Sequence, residues 1–187
     1  MATYFTADMH FEHDAIIGFC ERPFKDISEM NHVLIDNWNS RVGNDDHVYI
    51  VGDIFYGGRD AAGQDKAVEL VKKLNGILHL ITGNHDIPYL KNMEYHYLFA
   101  DVDQLRYLKH DGETIFLCHY PMAEWSGYYR GSWHIYGHIH NHTESDAFRY
   151  MKTQEKALNA GVDICKYMPV TFRELIEYNK AFKATNQ

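Results

Sequence analysis

The chain predicts an α/β fold, a sandwich of two mixed β-sheets flanked by helices. Three observations lead there. Apolar, β-prone runs alternate with amphipathic helical stretches through the first half, the second half changes to short strands joined by a hairpin signal, and polar residues of metal-ligating type recur just after the strand-like runs. At 187 residues, with no repeat, low-complexity tract or linker, the sequence is read as one domain over 1–187.

The elements follow in order. Thr3 to Ala7 is apolar and β-prone and ends at Asp8. A helix is expected from about Asp26 or Ser28 to Arg41. Asp26-Ile-Ser-Glu29 resembles a capping box, and Met30, Val33, Leu34, Asn37 and Trp38 share a helical face. His47-Val-Tyr-Ile-Val51 has the continuous apolar character of a buried strand and ends at Gly52-Asp53. Ala67, Leu70, Val71 and Leu74 give a second helix, about Ala61 to Leu74, stopped by Asn75-Gly76. Ile77 to Thr82 is the next strand. This strand–helix–strand alternation predicts parallel pairing with crossover helices. Phe99–Tyr107 and Glu113–Cys118 read as strands joined by His110-Asp111-Gly112. Further strands are expected at Trp133–Tyr136 and near Ala147–Met151 and Lys156–Ala160. A capping box, Thr171-Phe-Arg-Glu174, opens a final helix to about Lys183.

Composition narrows the function. No apolar run approaches the roughly 20 residues of a membrane helix, and the N-terminus lacks the pattern of a secretion signal, so a cytoplasmic protein without membrane attachment is expected. Three scattered cysteines, Cys20, Cys118 and Cys165, argue against a disulfide framework or a thiolate zinc site. A net charge of −8 disfavours stable nucleic-acid binding. A cationic pit on an acidic body suits a small anion instead. Oligomeric state leaves no mark in the sequence.

The blocks that carry chemistry are Asp8-Met9-His10, Gly52-Asp53, Gly83-Asn84-His85-Asp86, Cys118-His119 and Gly137-His138-Ile139-His140. Alternate residues of an extended segment share a face, so Asp8 with His10, and His138 with His140, can each grip metal from one stretch of backbone. Asp53, Asn84 and His119 would complete two sites. A shared carboxylate can bridge two ions about 3.5–4 Å apart.

In their order, D-x-H, G-D, G-N-H-D, H and G-H-x-H, these blocks resemble the calcineurin-like metallophosphoesterase superfamily, with all the blocks matched between Asp8 and His140. The shorter motifs Asp8-Met-His-Phe-Glu-His13, Cys20-Glu-Arg-Pro-Phe24 and Asn159-Ala-Gly-Val-Asp163 resemble a smaller branch of bacterial and phage phosphoesterases. The resemblance implies hydrolysis of a phosphoester, mono- or diester, on a small or nucleotide-type substrate by metal-activated hydroxide. It implies Asp8, His10, Asp53 and His140 as ligands of one divalent cation and Asp53, Asn84, His119 and His138 as ligands of another. Asp53 would bridge the two as part of the catalytic machinery, and His85 would be the catalytic acid. The mixed N/O donor set makes Mn²⁺ the expected metal, with Fe, Ni or Zn as alternatives. Where protein phosphatases of the superfamily carry G-D-x-V-D-R-G, this chain has Gly52-Asp-Ile-Phe-Tyr-Gly-Gly58, which argues against a phosphoprotein substrate.

Outside the ligand set, Arg22 and Arg130 are substrate-binding candidates because a guanidinium matches phosphate oxygens, with plain surface exposure as the alternative. His13 is expected to support the ligands through hydrogen bonds or else to be solvent-exposed, Asp86 to orient His85 or cap the turn, and Asn159 and Asp163 to support the ligands or else to form a turn. A rival reading is a metal-bound module that recognises an anion or nucleotide with little turnover.

Overall fold

A computed structural model describes residues 1–58 and 60–186. Its strands form two sheets. The first has the order β4-β3-β2-β1-β9 and is built from β1 (Thr3–Thr6), β2 (His47–Ile50), β3 (Ile77–Ile81), β4 (Asp101–Asp103) and β9 (Val170–Thr171). β1 to β4 run parallel and β9 is antiparallel to β1. The second has the order β5-β6-β7-β8, from β5 (Leu105–His110), β6 (Glu113–Cys118), β7 (Trp133–Tyr136) and β8 (Ala157–Asn159). Only the β5–β6 pair is antiparallel. Both sheets are therefore mixed.

Apolar residues separate into layers. Phe5, Val51 and Ile81 of the first sheet face Ile115, Leu117, Ile135 and Leu158 of the second. The outer face of the first sheet, with Val48, Ile50, Leu78 and Leu80, is covered by α2 (Ile27–Asn39) and α3 (Ala61–Val71) through Met30, Leu34, Trp38, Ala67 and Val71. On the outer face of the second, Phe116 and Tyr136 pack with Trp125 and with Phe148 and Met151 of α5 (Asp146–Met151). The last helix, α6 (Phe172–Thr185), opens with the expected capping box at Thr171 and Glu174. Among the described residues no helix is long and apolar enough to cross a membrane.

The structure differs from expectation in several elements, among them strand β9 and a short helix over Met93–His96, for which none was expected. Phe99–Tyr107 is not one strand: β4 belongs to the first sheet and β5 to the second, so the chain changes layers at Gln104. Residues 147–151 form helix rather than strand, because Ser145 caps α5 by accepting from the Phe148 N–H. A short helix, α1 (Asp14–Phe19), occupies a stretch for which no element was expected.

Candidate metal centre

The parallel strands of both sheets deliver their C-terminal ends to one edge. Asp8 and His10 follow β1, Asp53 follows β2, and Asn84, His85 and Asp86 follow β3. From the second sheet, His119 follows β6 and His138 and His140 follow β7. The backbone there is under strain. Asp8, His10, Asp53, His138 and His140 all have positive φ, between 49° and 74°, a region costly for residues with a Cβ. Glycines make room for the ligating groups. A Cβ on Gly83 would stand 2.1 Å from Asp53 Oδ1, and one on Gly52 would stand 2.2 Å from His119 Nδ1.

Two clusters result. Asp8, His10 and His140 each offer an atom within 4.8 Å of the others, and so do Asp53, His119 and His138. Asn84 joins the second, its Oδ1 lying 3.1 Å from His119 Nε2 and 3.0 Å from His138 Nδ1. Asp53 Oδ2 lies between the clusters, 3.7 Å from His10 Nε2 and 3.4 Å from His119 Nε2. His85 Nε2 is 3.9 Å from the same oxygen, on a side chain that keeps about a quarter of its surface in solvent.

Hydrogen bonds aim the rings. His119 Nδ1 donates to Val51 O at 2.8 Å, which turns Nε2 toward Asp53 and Asn84. His140 Nδ1 donates to Asp163 at 2.9 Å and is oriented in the same way. Asp163 is fixed by the Arg22 guanidinium. His13 Nδ1 is 3.2 Å from His10 Nδ1. The Asp86 carboxylate accepts from the N–H groups of Asp53, Ile54 and Gly83, tying the β2 and β3 loops together.

The protonation equilibria follow from crowding. Burial raises the Asp8 carboxyl, with His140 and His119 opposing it. Burial pushes His10 well down, helped by His140 and Arg22. Burial also works against charge on His119, but Asp53 and Asp8 carry it up to about 9, and Asp163 and Asp8 likewise carry His140 to about 10. Asp86 rises to about 6, from burial and then from Asp53.

Do these residues fit a divalent cation? His10 Nε2 is buried and has no hydrogen-bond partner. A buried polar atom left unpaired is costly unless something binds it. Around it converge carboxylates, imidazoles and a carboxamide oxygen, the hard and borderline donors that first-row divalent ions take. The fit is good.

No family model matches the chain. An uncharacterized protein of Methanocaldococcus jannaschii, MJ1445, is 34% identical over 187 residues, an alignment spanning 98% of this chain and 96% of the relative. The chain belongs to the same family as MJ1445. The Gene 66 protein of Mycobacterium phage D29 is 28% identical over 178 residues, covering 86% of this chain and 87% of its own. Among solved structures, AQ665 of Aquifex aeolicus, a protein of unknown function, matches with a TM-score of 0.70 and 26% identity over 94% of this chain and 97% of its own.

Both arginine candidates are corrected by the geometry. Arg22 is buried, and its guanidinium is spent on Asp163, Asp8 O and Met9 O, so it faces no substrate. Arg130 lines a separate small cavity with Tyr107, Lys109 and Ser126. His134, also outside the ligand set, is buried behind the β6–β7 loop between Phe116 O and Tyr120 O. Sequence reasoning missed Cys20, which forms a third potential ligand group with His140 and Asp163. Cys20 lies in a motif singled out from the sequence, but nothing local marks that it turns inward. Asn159, named from the sequence with Asp163, donates its amide to His140 O.

Proposed function

We propose that the protein hydrolyses phosphoesters of small molecules with the help of two divalent cations, Mn²⁺ foremost. The observation that carries this reading is the position of Asp53 Oδ2, one buried carboxylate oxygen facing imidazoles of both clusters. Asp8, His10, Asp53 and His140 would hold one cation, and Asp53, Asn84, His119 and His138 the other. Such a pair supplies a water ionised near neutral pH and positive charge for a phosphoryl group.

The chain's own residues do the rest. Val51 O and Asp163 anchor Nδ1 of His119 and His140, so a cation would displace the proton from the other nitrogen of each ring. Asp86 clamps the loop N–H groups beside Asp53 and holds that carboxylate in place. To His85, partly exposed at the rim with Nε2 3.9 Å from Asp53 Oδ2, we assign the transfer of a proton to the departing ester oxygen.

The experiment is dialysis against Mn²⁺, elemental analysis, then assay on p-nitrophenyl and bis-p-nitrophenyl phosphate. We expect two cations per chain and cation-dependent release of nitrophenol. Cation and phosphate binding without release would make the protein a recognition module instead. Absence of bound cation would overturn the reading altogether.

A further inference from the structure

Three large aromatic side chains stay open to solvent beside the metal centre. Tyr56, 38% exposed, lies on the His10 side: it stacks on His13 at 3.8 Å between ring centroids and meets His85 edge-on at 4.5 Å. Tyr120, 46% exposed, lies on the other side, edge-on to His138 at 4.8 Å and to His119 at 5.2 Å. Phe19, 65% exposed, stands beyond His13 at 6.3 Å. Each cluster of ligating groups thus has its own aromatic neighbour, and the acid candidate His85 touches one of them.

An isolated exposed aromatic means little. Here the rings rest against imidazoles, of which His119 is buried, His13 and His85 are half-buried and His138 is exposed, and they flank the place where a phosphoryl group would sit. Aromatic faces held this way bind flat ring systems by stacking. Arg22, the guanidinium nearest in sequence to this rim, is consumed by Asp163 and backbone carbonyls and gives no charge to a ligand. With that guanidinium consumed, the aromatic rings are the large exposed groups that touch imidazoles on both sides of the centre.

We infer that Tyr56 and Tyr120 are specificity-determining residues and that the ester they select carries a planar aromatic ring system, as a nucleoside phosphate does. The inference rests on the phosphoesterase reading and adds the substrate class to it.

The test compares two ligands that differ only in the ring: the non-hydrolysable phosphonate analogues of adenosine 5′-monophosphate and of ribose 5-phosphate. Each is titrated calorimetrically into Mn²⁺-loaded protein. The adenosine ligand should bind about ten- to a hundredfold tighter. Tyr56→Ala and Tyr120→Ala should each weaken it about fivefold or more, while weakening the ribose ligand less than about twofold. Tyr56→Phe and Tyr120→Phe, which keep the ring, should restore it. If both ligands bind alike, or if the alanine variants weaken both equally, the inference is overturned while the phosphoesterase reading stands. If neither ligand binds better with Mn²⁺ than without, the phosphoesterase reading fails and takes the inference with it.

Discussion

Arg22 shows how much a single side chain can carry without touching chemistry. Its guanidinium and the Asp163 carboxylate are fully buried against each other, and Asp163 in turn orients His140. Arg22→Met would leave that carboxylate buried with one partner fewer, a loss on the order of 3–5 kcal/mol for a broken buried pair. Chemical denaturation should show it, with Arg22→Met/Asp163→Asn recovering part of the stability but not the cation affinity on the His140 side. Equal stability of the single variant and the parent would contradict this account. The extended backbone expected at Asp8 and His10 and at His138 and His140 is not what the structure has, since all four adopt left-handed φ. The residues of the candidate centre were legible in the sequence because their blocks recur just after strand-like runs. The role of Arg22 was not, because its partner lies 141 positions away and a surface arginine has the same local signature. Tyr56 and Tyr120 were illegible for a related reason, since exposure at a rim depends on where loops end.

At the level of elements, the turns after β2 and β3 do more than reverse the chain. Gly83 brings its backbone so close to Asp53 that a methyl group cannot fit: a Cβ would meet the Asp53 backbone nitrogen at 2.7 Å as well as its carboxylate. Gly83→Ala should therefore displace Asp53, with loss of bound cation and of turnover while the circular-dichroism spectrum of the fold persists. Retained cation stoichiometry would show that the cradle tolerates the methyl group. Most elements could be read from periodicity, and α2 begins at the Asp26 cap as its motif indicates. The failures have physical causes. Residues 147–151 offer apolar side chains that suit either strand or helix, and the decision is made by one hydroxyl, Ser145 Oγ. The stretch read as a single strand over 99–107 has no glycine or proline at Gln104 to mark a break, and nothing in it signals the sheet that each part joins.

For the whole molecule, stability should depend on pH through His134. Burial, partly offset by the Phe116 and Tyr120 carbonyls, holds its imidazole down at about 4, against 6.5 in an unfolded chain. As pH falls through this window the unfolded chain takes up the proton first, so stability is complete above about 6.5 and declines toward 4. The loss reaches about 3 kcal/mol at most. His134→Gln should flatten the dependence by about one proton across that window, measured by urea unfolding at stepped pH. An unchanged slope would assign the acid sensitivity elsewhere. The two-sheet architecture was legible in the sequence because its halves differ in rhythm, crossover helices first and closely spaced strands after. The layering of α6 at the flank, where Phe182 packs with both the inner and the outer apolar clusters, has no such rhythm to announce it.

The ligating edge draws Asp8, His10, Asp53 and Asn84 from one sheet and His119, His138 and His140 from the other. An ion gripped from both halves would act as a rivet through the sandwich. Its binding to the folded sandwich would tie the layers together, so the unfolding midpoint should climb as free cation rises and fall back when a chelator is added.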